Sequence, residues 1–155
     1  MKWILTIAVA MGFVSCTREI VLTDEEVKPD VFYTTEGHRP YTGKCKVYYY
    51  NSDQIKDEFS FRKGRLNGDS YSWYQNGNLR WKGGYRNGML SGTWQKWDED
   101  GNLILKVNYV NDTLEGSYVA LYPNGNVMEK GMYTANKRVG DWIRMKENGQ
   151  PVSER

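Results

Sequence analysis

The sequence predicts an all-β fold, an elongated antiparallel β-meander of about nine strands, from the spacing of its glycines and the alternation of its apolar residues. Gly68, Gly92, Gly116 and Gly140 lie 24 residues apart, and Gly43 precedes the first of them by 25. Between these glycines apolar and polar residues alternate, which is the period of a half-buried strand. At two strands per 24 residues, four full hairpin repeats and a truncated fifth would supply about nine strands.

The amino-terminal residues form a segment of their own. Residues 3–14, WILTIAVAMGFV, are an apolar run with the length of a signal-peptide core, shorter than the roughly 20 residues that span a bilayer. We therefore expect residues 1–15 to be an export signal peptide. The run ends in FVSC, which resembles the lipobox of bacterial lipoproteins, and the resemblance implies that Cys16 is lipidated and anchors the protein in the cell envelope. Secretion with a different cleavage site and a buried N-terminal helix are the alternatives.

Residues 16–40 contain charges, Pro29, Pro40 and only short apolar runs, which predicts a linker before a repeat domain over residues 41–155. The net charge of +2 gives no global preference for nucleic acid. If Cys16 is acylated, Cys45 has no partner for an intrachain disulfide. We predict Cys45 to be a buried strand residue rather than a reactive thiol, because later units have Trp or Tyr at its position.

Each unit predicts two hairpin turns. In the four units after the first, a second glycine that follows Asn or Asp comes nine residues after the leading glycine, and such a pair tolerates the positive φ angles of a tight turn. Another turn follows at Lys63-Gly64, Asn87-Gly88 and Asn111-Asp112. The glycines expected to form these structural turns include Gly77, Gly88, Gly101, Gly125 and Gly149.

The residues between the turns predict strands with one apolar face. Apolar residues spaced by two alternate with polar ones such as Arg80 and Lys82. Stacked units should align equivalent side chains into ladders, because each unit buries what its neighbour leaves open. One predicted ladder contains Ile55, Leu79, Leu103 and Val127, and a second contains Phe61, Tyr85, Tyr109 and Tyr133. In a third row, Gly83 and Gly131 should leave room for rings such as Trp81.

The segments GTWQKWDEDGNL, GSYVALYPNGNV and GDWIRMKENGQP resemble the MORN repeat variant, and the array extends from Gly43 to Pro151. Long arrays of this variant occur in bacterial proteins classed as antitoxins of toxin–antitoxin pairs and in exported lipoproteins. The resemblance therefore implies binding, most of all of another protein, as the class of function. Repeat families share architecture more reliably than function. An antitoxin of a cytoplasmic toxin would also have to stay in the cytoplasm.

Residue types that perform catalysis or bind metals are scarce. His38 is the only histidine and lies in the predicted linker, and there is no pair of Cys or His residues for zinc. Asp98, Glu99 and Asp100 cluster at one hairpin tip, where a solvated turn is favoured over a Ca²⁺ site. No glycine-rich loop opens a helix to hold phosphate. We predict no enzyme activity, no cofactor and no metal.

The first group of candidate binding residues is basic. Lys82, Lys106 and Lys130 occupy the same place in three successive units and should form a row about 10 Å apart on the polar side of the sheet. Arg80 and Arg86 extend this row at one end. The row would suit anionic lipid or an acidic partner surface, although keeping an open sheet soluble is the favoured interpretation.

The second group of candidate binding residues is aromatic and consists of Trp73, Trp94, Trp97, Trp142, Tyr74 and Tyr122. They are predicted on both faces of the first strand of each unit, and a thin sheet cannot bury both faces. Exposed rings would anchor a protein or stack on sugars. Packing against neighbouring units is the favoured role for any single ring.

Together these features predict an exported, lipid-anchored, non-enzymatic repeat protein that serves as a protein–protein interaction module. An antitoxin or immunity protein that neutralises a toxin is one alternative, and a binder of anionic lipid or envelope polysaccharide is the other. We expect another protein as the partner, the membrane through the lipid anchor, and no nucleic acid.

Overall fold

The alternating segments form ten strands that pair in the order of the sequence. The computed structural model describes residues 20–22 and 39–152. Its strands are β1 (Ile20–Leu22), β2 (Gly43–Tyr48), β3 (Ile55–Arg62), β4 (Arg65–Trp73), β5 (Leu79–Arg86), β6 (Met89–Trp97), β7 (Leu103–Val110), β8 (Thr113–Leu121), β9 (Val127–Thr134) and β10 (Lys137–Arg144). Strands β2 to β10 are an antiparallel meander in one open sheet, so the predicted all-β fold with nine antiparallel strands is confirmed.

The first strand lies within the segment predicted as a linker. Ile20–Leu22 pairs in parallel with β2, with Ile20 opposite Cys45 and Leu22 opposite Val47. A parallel pairing cannot come from a hairpin, so the repeat pattern gave no signal for it. The predicted signal peptide, the lipidated Cys16 and His38 lie outside the described residues.

The first type of turn follows the strands that begin each unit. In the turn between β4 and β5, the N–H of Gly77 donates to the carbonyl of Tyr74 at 3.0 Å, and Gly77 has a φ of 88°. The positive φ predicted for Gly101, Gly125 and Gly149 is also present, at 79° to 89°. The Asn or Asp that precedes each of these glycines does not have a positive φ. This corrects the expectation that both residues of the pair would use a positive φ in the turn. At Asn76 the side chain instead accepts a hydrogen bond from the N–H of Asn78 at 2.9 Å, and such a bond stabilises the turn.

The second type of turn has two residues, both with positive φ, as a type I′ hairpin requires. Lys63 and Gly64 have φ values of 51° and 77°, and Asn87 and Gly88 have values of 53° and 88°. The turns at Asn111-Asp112 and Ala135-Asn136 follow the same pattern. Each of these turns also bonds to the preceding unit, since the N–H of Gly88 donates to the carbonyl of Leu66 at 2.8 Å. The predicted second turns are confirmed.

A row of alternating large and small side chains crosses the sheet and fixes how units pack. A Cβ on Gly83 would overlap the ring of Trp94, and a Cβ on Gly131 would overlap that of Trp142. The ring that fills the space beside Gly83 is therefore that of Trp94, whereas the sequence had suggested Trp81. The reason is the register of β5 against β6: Lys82 pairs with Gln95, so the next residues, Gly83 and Trp94, meet just before the register shifts at a bulge.

Burial is deepest at the amino-terminal end of the sheet. Tyr41, Cys45, Val47 and Phe61 form a core cluster there, which confirms the prediction that Cys45 is a buried strand residue. At the other end, β9 and β10 have no fully buried residue. Across residues 20–22 and 39–152, no helix has the length and apolarity needed to cross a membrane.

Candidate functional site

The predicted row of lysines lies on one face of the sheet, here called the lysine face. Lys82 pairs with Gln95, which pairs with Lys106, and Lys106 pairs with Val119, which pairs with Lys130. Residues directly opposite in paired strands share a face, so consecutive lysines stand two strands, about 10 Å, apart. All three lysines are exposed. The alignment that the sequence predicted is therefore present.

Exposed apolar side chains continue the lysine face at its carboxyl-terminal end. Met128 and Met132 flank Lys130 at a spacing of two residues along β9, so the three side chains point to the same side. Val139 pairs with Met132, and Ile143 pairs with Lys130, on β10. Their exposed fractions are 40%, 49%, 41% and 41% in the order Met128, Met132, Val139 and Ile143.

The sequence analysis missed this apolar surface, although a signal for it was present. Met132 stands 24 residues after Asn108, and Met128 stands 48 after Arg80, at positions that the alternation assigns to the polar face, although Ile104, 24 residues before Met128, is itself apolar. Apolar residues at such positions add apolar area to the open face of one unit. We call Met128, Met132, Val139 and Ile143 the methionine patch.

Two of the candidate rings lie on the opposite face and pack among other aromatic side chains. Trp94 lies edge-on to Tyr85 with 5.3 Å between ring centroids, and its Nε1 donates to the carbonyl of Gly84 at 3.2 Å. Trp142 lies 5.2 Å from Tyr133 in the same manner. Both tryptophans are half-buried. Their first role is therefore packing between units.

The other candidate rings lie at the edge formed by the first type of turn. The hydroxyl of Tyr74 donates to the carbonyl of Trp97 at 2.9 Å, and that of Tyr122 donates to the carbonyl of Met145 at 3.1 Å. Trp73 accepts the same kind of bond from Tyr49 at 2.7 Å and stacks on Tyr71. These bonds join each unit to the next. The exposed aromatic surface expected from these residues is thus small, since all of them are half-buried.

The carboxylate of Glu129 joins the two strands of the last hairpin. Glu129 accepts hydrogen bonds from Arg138 at 2.9 Å and from Arg144 at 2.8 Å, and its side chain is 12% exposed. Burial raises the pKa of Glu129, but the hydrogen bonds from both guanidinium groups outweigh burial, and the net pKa is lowered. Arg138 also lies 3.9 Å above the ring of Trp142. The arrangement fixes β9 and β10 against each other beneath the methionine patch.

A cationic cluster at the β3–β4 turn was also missed. Arg62 and Arg65 are direct partners across the hairpin, Lys63 lies between them, and together with Asn87 they line an open cavity of about 340 Å³. Among the residues that the structure describes, no acid pairs with any of the three cations. Like charges directly opposite each other destabilise a hairpin. The predicted Arg86 also ends its strand at this edge, whereas Arg80 lies over the ring of Tyr74.

The acidic turn that sequence analysis weighed as a Ca²⁺ site is a hydrogen-bonded turn. Asp98 accepts bonds from the N–H groups of Asn102 at 2.8 Å and Asp100 at 3.1 Å, and the first of these bonds is the largest influence lowering the pKa of Asp98. Within the described ranges, no group of three or more His, Cys, Asp or Glu side chains is placed to bind a metal ion. A second depression of about 460 Å³ is lined by Asn124, Lys146, Glu147 and Asn148. It contains no nucleophile and base in contact.

These features define the class of protein: an open array of β-hairpin units joined by backbone pairing and turn-to-turn bonds, with flat faces in place of an enclosed pocket. Residues 90–111 and 114–135, two adjacent units of this array, match the family model of the MORN repeat variant. No curated protein matches the chain. Repeats of this family are non-enzymatic modules that commonly bind proteins or membranes.

Proposed function

We propose that this protein is a protein–protein interaction module that binds its partner through the lysine face of β9 and β10. The observation that carries the proposal is the methionine patch, four large apolar side chains exposed together on one face. Scattered single apolar residues are ordinary on a protein surface, but contiguous ones mark a binding surface.

The composition of the patch fits a protein partner. Methionine is flexible and polarisable, so Met128 and Met132 adapt to a partner surface, while Val139 and Ile143 supply rigid area from β10. Lys130 lies between the two methionines and Lys106 lies two strands away on the same face, and both would orient an acidic partner surface. The partner surface expected is apolar at its centre and acidic along one side.

The test is in-cell crosslinking of the full-length tagged protein, followed by mass spectrometry of what co-purifies. Met132→Glu places a charge in the centre of the patch, and Tyr50→Glu is the matched control because Tyr50 is 91% exposed on a distant turn. We expect one stoichiometric protein that the wild type and Tyr50→Glu capture and Met132→Glu does not. Equal capture by Met132→Glu would overturn the assignment of the surface. A captured partner that is toxic on its own would make this an immunity protein.

We also propose that the module is exported and held at a membrane by lipid on Cys16. The support is the apolar run at residues 3–14 and the FVSC that ends it. One acyl anchor together with protein contacts can hold a protein at a membrane. Metabolic labelling with a fatty-acid analogue should label the wild type and Cys45→Ser but not Cys16→Ser. Label that persists in Cys16→Ser would contradict the anchor.

Binding of anionic headgroups is a second candidate function, favoured by the cationic cluster of Arg62, Lys63 and Arg65. A bound phosphate group would offset the repulsion between Arg62 and Arg65 across the hairpin. The probe is flotation with phosphatidylglycerol-containing vesicles, using protein with Cys16→Ser so that no acyl chain contributes. Arg62→Gln with Arg65→Gln should abolish flotation, and Lys106→Gln with Lys130→Gln removes the same charge as a control. No flotation of the parent protein would exclude this function, and flotation that the Arg62→Gln and Arg65→Gln variant retains would exclude the cluster as the binding site.

A further inference from the structure

Asparagine followed by glycine, a pair found in several turns of this sheet, is the pair most prone to deamidation. The backbone nitrogen of the glycine attacks the side-chain amide carbon of the asparagine, because glycine has no side chain to hinder the approach. Ammonia leaves and a cyclic succinimide forms, and water then opens the ring to aspartate or isoaspartate. The pair occurs at residues 67–68, 76–77, 87–88, 124–125 and 148–149.

In the first type of turn, hydrogen bonds hold the asparagine side chain at both ends. The Oδ1 of Asn76 accepts a bond from the N–H of Asn78 at 2.9 Å, and its Nδ2 donates to the carbonyl of Glu99 at 2.8 Å. The side chains of Asn124 and Asn148 are also held by two bonds each. Cyclisation would have to break both bonds of the amide group.

Asn87, in the second type of turn, is the exception. It is exposed, and among the residues that the structure describes none forms a hydrogen bond with its side-chain amide. Asn67, within β4, differs because its Oδ1 accepts a bond from the backbone N–H of Asn87 at 3.3 Å. The attacking nitrogens are alike, since the N–H groups of Gly77 and Gly88 each donate to a carbonyl. The side chain therefore decides which asparagine reacts.

The surroundings of Asn87 favour both the reaction and its product. Asn87 lines the cavity of about 340 Å³ together with Arg62, Lys63 and Arg65, the cationic cluster. The attack places negative charge on the amide oxygen, and cations nearby stabilise a charge that develops there. The carboxylate that results would lie among cations that have no acid partner within the described ranges.

We propose that Asn87 is a deamidation site and that the carboxylate it becomes pairs with Arg62 and Arg65. The new charge offsets the repulsion between the two arginines across the hairpin and takes the place of a bound headgroup. Residue 87 has a φ of 53°, which aspartate tolerates as asparagine does, so the turn is kept. The effect on lipid binding rests on the second candidate function, whereas the modification site does not.

Peptide mapping by mass spectrometry locates the site in the full-length protein, incubated in mildly alkaline buffer. We expect conversion at Asn87 about tenfold faster than at Asn76 or Asn124, which corresponds to about 1.4 kcal/mol in activation free energy. In urea, where the side-chain bonds of the turns are lost, the rates should become equal. Equal rates in the native protein would overturn the inference. A difference that persists unchanged in urea would also overturn it, because the sequence alone would then explain the selectivity.

The pairing is tested with Asn87→Asp, and Asn76→Asp is the matched control. In urea unfolding, Asn87→Asp should be at least as stable as the wild type. Asn76→Asp should be less stable, because a carboxylate cannot donate to the carbonyl of Glu99. A midpoint for Asn87→Asp below that of the wild type would overturn the pairing.

Vesicle flotation measures the consequence for lipid binding, with the phosphatidylglycerol-containing vesicles and the Cys16→Ser background described above. Asn87→Asp should bind about fivefold more weakly than the parent, or about 1 kcal/mol for one charge near anionic lipid, and Asn76→Asp should bind as the parent does. Equal flotation of Asn87→Asp and the parent would overturn the effect on lipid binding. A parent that does not float would reject the second candidate function, while the mapping and the urea midpoints still decide the site and the pairing.

Discussion

The contact of Gly83 with Trp94 gives the sharpest prediction about what holds two units together. A Cβ on Gly83 would overlap the ring atoms Cδ2 and Cε2 of Trp94, whereas a Cβ on Gly84 meets nothing closer than the carbonyl of Ser91 at 3.4 Å. Neither glycine has a positive φ. Gly83→Ala and Gly84→Ala therefore make the same chemical change in neighbouring residues, and only the first must move a tryptophan.

The cost follows from the contacts that Trp94 would lose. The ring packs against Trp81 at 6.4 Å, Tyr85 at 5.3 Å and Tyr109 at 6.5 Å, and its Nε1 bonds to the carbonyl of Gly84. Overpacking costs about 1–3 kcal/mol, and complete loss of a packed Trp costs about 3–5 kcal/mol. We expect Gly83→Ala to lower the free energy of unfolding by about 3 kcal/mol and Gly84→Ala by less than about 1 kcal/mol.

The next unit contains a pair of residues that would relieve this overlap. Val107 and Tyr118 occupy the positions that Gly83 and Trp94 occupy one unit earlier, and Val107 is buried. Gly83→Val combined with Trp94→Tyr should therefore be more stable than Gly83→Val alone by about 2 kcal/mol, which is a coupling of the size seen between residues in contact. Urea unfolding followed by far-UV circular dichroism measures the wild type, both alanine variants, Gly83→Val, Trp94→Tyr and the double variant. Equal midpoints for both alanine variants, or additive effects in the double variant, would refute the packing argument.

Three other predictions concern single residues. Gly101 has a φ of 89°, so Gly101→Val should destabilise the array by about 1–2 kcal/mol, and an unchanged melting temperature would contradict the hairpin assignment. The lowered pKa of Glu129 stabilises the fold above the ordinary value of 4.5, and this contribution is lost as the pH falls through the folded-state pKa. Glu129→Gln should therefore weaken the dependence of the melting temperature on pH below 4.5, whereas an identical dependence would reject the arginine clamp. Burial raises the pKa of Cys45 to about 12, so iodoacetamide should label it in urea and not in the native protein, and rapid native labelling would contradict its burial.

The sequence predicted those features that depend on neighbours along the chain. A period of two and a glycine that can adopt a positive φ are properties of a single hairpin, and the hairpin turns at Gly77 and Gly88 appear where they were expected. The alignment of Lys82, Lys106 and Lys130 followed because identical units repeat the same register. Rules that apply within one hairpin, repeated along the chain, were therefore sufficient to predict the meander.

Features that depend on contacts between units were predicted less well. The ring that fills the space beside Gly83 is set by the register of β5 against β6, and the alternation along a single strand does not specify that register. The strand at Ile20–Leu22 pairs in parallel, and a parallel pairing does not come from a hairpin, so the repeat pattern did not predict it. The methionine patch was not predicted because methionine is an ordinary strand residue, and only Met132 replaces a polar residue, Asn108, of the preceding unit.

The central claim is that a protein partner binds the lysine face of β9 and β10, and amide hydrogen exchange on the captured complex tests it most directly. The co-purified partner is first released from the crosslink. Amide exchange is then compared between the full-length protein alone and the same protein to which the partner has been added back. We predict slower exchange in Val127–Thr134 and Lys137–Arg144, and unchanged exchange in Ile55–Arg62. Protection confined to the β3–β4 turn, or no protection in β9 and β10, would contradict the account.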